Sequence, residues 1–285
     1  MSGAVDAALA AADSAARAAR VLVRPVSGLA ELAALDGMLA GIWQGADRDV
    51  LLTTDLLRAL AKSGNYVAGA FDGDTLVGGA VAFFAAPAER ELHSHIAGVA
   101  AGAAGRSVGF ALKQHQRAWA LQRGIGTISW TFDPLVARNA YFNLGKLAAT
   151  PTEYLTNFYG SMHDRINGDD DSDRLLVCWD LAAPAVVSAG AGEPRRCVRP
   201  PTATVALSRS PSGAPVPGSL RGRTLLVAVP PDVETLRRDA PGAAKDWRLA
   251  LRDTLSALLA DRARFAGFDR DGWYVLTRDP EEHAR

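Results

Sequence analysis

LHSHIAGVAAGAAGRSVGFAL, residues 92–112, is the stretch on which the fold turns. Leu92–Val99 reads as a strand. A loop carrying Gly102, Gly105 and Gly109 follows, and a helix is expected over about Arg106–Arg123. Gly124-Ile125-Gly126 stops that helix, and Thr127–Phe132 (TISWTF) is again β-branched and aromatic. A strand–helix–strand unit of this length places two parallel neighbours in one sheet. Its loop has the makings of an anion site. The first amides of a helix lack partners, and small residues let a ligand approach the backbone. By itself a glycine-rich turn before a helix is a weak signal.

Upstream, Val21–Val26 (VLVRPV) reads as a strand and Ser27 to about Trp43 as a helix, with Leu29, Leu32, Leu35, Met38 and Leu39 at helical spacing. A second helix, about Thr54–Ala61, ends at Ser63-Gly64-Asn65. Tyr66–Phe71 and Leu76–Phe84 flank Asp72-Gly73-Asp74, a strong hairpin signal. Downstream, a helix is expected over about Val136–Leu147, then strands near Tyr154–Tyr159 and Arg174–Trp179. The fold class is therefore α/β with a mixed sheet, over residues 21–182. Residues 1–20 read as a helix-prone extension. Residues 183–223, rich in Ala, Pro, Gly, Ser and Arg, read as a linker. Residues 224–285 read as a small α+β appendage, with strands at Thr224–Val229 and Trp273–Thr277. The stripe of Trp247, Leu251, Leu255 and Leu258/Leu259 reads as core packing.

Lys plus Arg number 31 and Asp plus Glu 31, so the net charge is zero. Nucleic-acid and anionic-membrane partners favour a basic excess, and neither is expected. The two cysteines, Cys178 and Cys197, are too few for a disulfide framework and show no metal-ligand spacing. The first twenty residues lack the basic start and apolar run of a secretory leader, so a cytoplasmic protein is expected.

His93 and His95 lie two apart on one strand and share a face. Imidazole titrates near neutrality, which suits a general base, although a lone histidine is more often a packing residue. Two histidines cannot hold a metal without a third ligand, and no metal is expected. Asp133, at the end of the TISWTF strand, suits a substrate ammonium or an ordinary turn before Pro134. Arg138 suits a substrate carboxylate or a helix neighbour. Trp130 and Phe132 suit a cleft wall or the core. Asp169-Asp170-Asp171 reads as a solvated loop.

The order of elements, the VLVRPV strand, the Asp-Gly-Asp hairpin, the strand running into AAGRSVGFAL and the helix RNAYFNLGKLAA together resemble the GNAT superfamily of acyl-CoA-dependent N-acyltransferases. The likeness covers about residues 21–180. More narrowly, LHSHIAGV with TISWTFDPLVARNAYFNLGKLAA resembles a little-characterised subgroup with a C-terminal extension.

The resemblance implies acyl-CoA (acetyl or succinyl) as co-substrate and a small amine, an amino acid being favoured, as acceptor. Pantetheine would run between the two splayed strands. It implies that Val99, Gly105, Arg106, Ser107, Val108, Gly109 and Phe110 hold the CoA pyrophosphate, and that Asn139 bonds the pantetheine arm. His93 stands where the family often places its carboxylate base. Asn143 stands at the family's thiolate-protonating Tyr; it can donate a hydrogen bond to the sulfur but has no proton of useful pKa to transfer. Tyr141, Tyr154 and Tyr159 are its candidate substitutes.

In the family's Gln/Arg-x-x-Gly-x-Gly/Ala motif, Ala104 replaces the first residue and Ser107 the first glycine. Ser107 should resist a positive φ and rearrange the loop, while Arg106 should restore the missing positive charge. Cys178 has no histidine partner that would make it a nucleophile, so direct attack in a ternary complex is expected. Two rivals stand beside amine acylation. One is a degenerate GNAT-fold binding or regulatory module, and the other a GNAT-fold enzyme of different acyl-CoA chemistry, such as decarboxylation. The appendage either mediates a homodimer or shapes the acceptor pocket.

Overall fold

The computed structural model describes residues 2–43, 52–160 and 170–278. In chain order the elements are α1 (Ser2–Ala19), β1 (Leu22–Pro25), α2 (Leu29–Trp43), α3 (Thr54–Lys62), β2 (Tyr66–Asp72), β3 (Thr75–Phe84), β4 (Glu91–Val99), α4 (Val108–Leu121) and β5 (Thr127–Phe132). There follow α5 (Ala137–Ala140), β6 (Thr150–Leu155), β7 (Arg174–Asp180), α6 (Pro184–Gly190), β8 (Thr204–Arg209), β9 (Pro215–Pro217) and β10 (Thr224–Ala228). Last come α7 (Val233–Asp239), α8 (Pro241–Ala260), β11 (Arg264–Phe268) and β12 (Trp273–Thr277). The chain divides into two compact units, Met1–Trp130 with Cys178–Glu193, and Thr131–Val177 with Pro194–Arg285.

The first unit is built on strands in the order β1-β2-β3-β4-β5, with the end of β7 beyond β5. The β2–β3 hairpin closes at Asp72↔Thr75, with Gly73 at φ +58°. That conformation is cheap for glycine alone. Leu32, Leu35 and Leu39 of α2 form one core with Leu57 of α3 and Val67, Phe71 and Val81 of the sheet. Helix and sheet meet closely there: a Cβ on Gly79 would lie 2.1 Å from Leu35 Cδ1.

The N-terminal segment is a packed helix. Ala8, Ala12, Ala15 and Ala19 are buried at helical spacing, and α1 lies along α4 at Ala118. Covered by the sheet on one side and by α1 on another, α4 buries Lys113, Gln114, Gln116 and Arg117 as well as its apolar residues. The Arg117 guanidinium donates twice to Leu181 O, at 2.8 and 3.0 Å, which satisfies two of its buried donors.

The second unit carries β6 beside the start of β7, and a five-stranded sheet of order β11-β12-β10-β8-β9. The stretch 183–223, read as a linker from its composition, holds α6, β8 and β9. The single helix expected over 136–147 is one α turn followed by a π-helical turn at Tyr141–Lys146, where Leu147 N–H donates to Phe142 O. Gly145 leaves room at this widening for the Tyr141 ring, which a Cβ would meet at 3.0 Å.

Asp170 and Asp171, expected in a solvated loop, belong instead to an ion-pair network. The Asp170 carboxylate is buried against Arg237 (3.2 Å) and Arg248 (3.1 Å), and Asp171 pairs with Arg252 at 2.6 Å. Asp169 lies outside the described residues.

Candidate functional site

The site-bearing part of the first unit begins where two parallel strands part. The β4–β5 ladder runs over Glu91↔Thr127, Leu92↔Ile128 and His93↔Ser129, and there it stops. Yet β4 continues to Val99 and β5 to Phe132. Ser94 and Trp130 are therefore the first residues of each strand beyond the ladder, at the apex of a V.

On its other edge β4 pairs with β3. The register passes from Val81↔Ile96 to Ala82↔Ser94, so His95 is the extra residue of a β-bulge. His93 and His95 do share a face. Their rings lie 6.3 Å apart, and both stand against Phe83, at 5.1 and 5.6 Å between centroids. His93 is half-buried, with Nδ1 3.5 Å from Ser129 Oγ, and His95 is exposed. Burial is the main influence on His93. With His95 and Lys113 it outweighs the pull of Glu91 and lowers the pKa below its ordinary value. Partial desolvation lowers that of His95 as well. Both imidazoles are neutral at pH 7, the form a base needs.

The V opens towards the loop. A 3₁₀ turn at Ala101–Ala103 leads to Gly105 at φ +78° and Ser107 at φ +64°, from which α4 starts. Ser107 thus takes the left-handed conformation it was expected to resist, and the loop keeps the geometry a glycine would give it. The strain costs about 1–2 kcal/mol, and the Ser107 side chain makes no capping bond in return. Ser107→Gly is therefore expected to raise Tm by about 1–3 °C, because relief of strain exceeds glycine's extra unfolded-state entropy. A thermal melt that fell instead would remove the strain argument.

Among the described residues, the amides of Ser107, Val108 and Gly109 have no acceptor, whereas Phe110 N–H is spent on Ser107 O at 3.0 Å. Phe110 accordingly drops out of the expected amide nest. The approach to the loop is open. Cβ atoms added at Gly102 and Gly105 would meet nothing within 4 Å, and one at Gly109 only Val99 Cγ2 at 3.8 Å. Arg106 does not replace the lost charge as expected. Its guanidinium is bound to Asp72 Oδ2 (2.8 Å) and to the carbonyls of Ala19 and Arg20 (both 3.2 Å).

Trp130 is a core residue. It meets Trp179 edge-on at 5.7 Å, and Lys113 Nζ lies over its ring at 3.7 Å from the centroid. Sequence reasoning passed over Lys113, because a helical lysine is ordinarily solvated. Here only 4% of it is exposed. Nζ donates to Ser94 Oγ at 2.8 Å and to Gln116 Oε1 at 3.1 Å, and burial pushes its pKa down to about 7. The one signal in the sequence was the alanine stripe of α1, which required a helix to cover.

The remaining expected site residues lie in the second unit. Asp133 is 7% exposed, and its four acceptor positions are taken. Oδ1 accepts from Leu135 N–H and Arg248 Nη1 (both 3.0 Å), and Oδ2 from Arg248 Nη2 (2.9 Å) and Arg237 Nη2 (2.5 Å). Nothing remains for a substrate ammonium, so Asp133 is a structural anchor. Arg138 pairs with Glu234.

Asn139 is half-buried on α5, and Asn143 is buried in the π turn. Of the candidate proton donors, Tyr154 gives its hydroxyl to Asp173 at 2.6 Å, and burial followed by Asp173 raises its pKa far above the ordinary value. It cannot protonate a thiolate near pH 7. Tyr141 OH accepts from Arg270 Nε at 2.9 Å, and Tyr159 OH shares a bond with Thr131 at 3.0 Å.

No family model and no curated protein matches the chain. Solved structures do. An acetyltransferase of the GNAT family from Streptococcus pneumoniae is 13% identical at a TM-score of 0.46, over 55% of this chain and 97% of its own. The ribosomal-protein-alanine N-acetyltransferase from Brucella melitensis is 18% identical at 0.45, over 55% and 98%. A Salmonella typhimurium protein solved with acetyl-CoA is 16% identical at 0.45, over 58% and 98%.

Proposed function

We propose that this chain is an acyl-CoA-dependent N-acyltransferase of GNAT type, moving an acetyl- or succinyl-class group to a small amine by direct attack in a ternary complex. One observation carries the reading: the β4–β5 ladder ends after three pairs, beside a loop that presents free amides at the head of α4. Three adjacent amides with the dipole of a helix behind them suit a pyrophosphate. The parted strands suit the pantetheine arm, since their edges can bond its amides. His93, neutral at pH 7 on the face away from Ser94, takes the proton of the attacking ammonium, directly or through water. Cytoplasmic acyl-CoA and amine pools, without nucleic acid or membrane, are the partners this reading needs.

The reading is tested by calorimetric titration with free CoA, acetyl-CoA and succinyl-CoA, alongside Gly109→Glu. The substituted carboxylate has room to fold but would stand against the pyrophosphate. The expected result is binding by the native chain and at least a hundredfold loss in a folded Gly109→Glu. Equal affinities would remove the loop from the site. Ala104 and the engagement of Arg106 with Asp72 favour a second reading, a binding module that holds CoA without turnover. Tight CoA binding with no acyl transfer across a panel of amines would favour it.

A further inference from the structure

The geometry points to Lys113 as the proton donor to the departing thiolate, acting at the apex of the β4–β5 V directly or through the hydroxyl of Ser94. This rests on the acyl-transfer reading above. Its own support is positional. Ser94 and Trp130 are the first residue of each strand beyond the last ladder pair. Lys113 Nζ touches both, 2.8 Å from Ser94 Oγ and 3.7 Å from the indole centroid. A buried ammonium is costly, and proteins ordinarily pair it with a carboxylate. Among the described residues Lys113 has no ion-pair partner, only a hydroxyl, the Gln116 amide oxygen and an aromatic face. A lysine kept for packing alone would be better replaced by methionine.

Two of the donors expected from the sequence are ruled out. Asn143 occupies the position of the expected acid and has no titratable proton, while the Tyr154 hydroxyl is committed to Asp173. In the proposed step the amine nitrogen forms a bond to the thioester carbonyl carbon and the carbon–sulfur bond breaks. The sulfur receives a proton from Lys113, or from Ser94 as Lys113 replaces it. The proton lost by the amine leaves through His93. Amide and free thiol result, and solvent reprotonates Lys113.

Burial sets Lys113 near pH 7, below an ordinary thiol at about 8.5, so transfer to the thiolate runs downhill. The groups that face it agree with this. On β4, His93 and His95 are neutral near pH 7, and Glu91 opens the strand three residues before Ser94. On β5, Ser129 and Trp130 do not titrate. On α4 itself, Gln116 is neutral and His115, bonded to Tyr66, is held neutral by burial.

The test compares Lys113→Met with the native chain in calorimetry with free CoA and in kcat against pH at saturating amine. The variant is expected to fold with unchanged or higher Tm and to bind CoA within about twofold. Its kcat should fall by about 10²–10⁴-fold. The native kcat should decline as pH rises past about 7, when Lys113 loses its proton, and the variant should lack that decline. Unchanged kcat in a folded, CoA-binding variant would overturn the assignment while leaving the acyl-transfer reading intact. Failure of the native chain to bind CoA would overturn both. If Lys113→Met does not fold, the native profile decides: a kcat that stays flat or rises above pH 7 excludes Lys113 as the donor.

Discussion

His93→Ala is expected to lower kcat by about 10²–10⁴-fold at neutral pH, with little change in CoA affinity. The imidazole stands at the last ladder pair, half-buried against Phe83, and its depressed pKa leaves it unprotonated where it must work. The sign follows. The native rate should fall as pH drops through a value below 6.5, because protonation removes the base. The variant should lack that limb. His95→Ala is the comparison, since an exposed ring in a bulge should cost little of either rate or stability. Steady-state kinetics of the two variants across pH decide the matter. Near-normal turnover in His93→Ala with loss in His95→Ala would exchange their roles, and retention in both would place the base elsewhere.

The second large effect concerns stability. Asp133→Ala should destabilise the second unit by about 3–5 kcal/mol, because it strands the buried Arg248 and Arg237 guanidinium groups with Asp170 as their shared counter-ion. On a chain of this size that is on the order of 10 °C in Tm. Attraction to Arg248 and Arg237 overcomes the burial penalty and holds the Asp133 carboxyl well below the usual carboxylate range. A carboxylate depressed in this way stabilises the fold above its unfolded pKa of about 3.9, and the contribution is lost as pH falls below that. The gap between native and Asp133→Ala melts should therefore narrow below about pH 4. A constant gap would mean that the charge is not the cause.

Elements whose signal is local were legible in the sequence. The Asp-Gly-Asp hairpin and the strands TISWTF and Trp273–Thr277 stand where their alternation and turn residues put them. What failed was nonlocal. Asp170 and Asp171 read as solvated because their arginine partners lie more than sixty residues away, in α7 and α8. Lys113 was passed over because what buries it, the covering of α4 by a helix a hundred residues earlier, is nonlocal. The Pro-rich stretch hid β9, which starts and ends in proline and sits at a sheet edge, where a missing donor costs least. Ser107 was misjudged in energy rather than in place. A strain of one or two kcal/mol is small against a whole domain, and the loop keeps its shape in spite of it.

The three bonds of Arg106 also set an order of assembly. Two of them end on the carbonyls of Ala19 and Arg20, 87 and 86 residues back along the chain. Loop-closure entropy grows only logarithmically, so spanning that distance rather than twenty residues costs about 1 kcal/mol more. The delay it imposes is larger than the energy. At ribosomal rates of about 5–20 residues per second, α1 emerges some seconds before α4 exists to receive it. The loop before α4 therefore cannot take its braced form until the chain has returned to the end of α1, and the alanine stripe of α1 waits uncovered in the meantime.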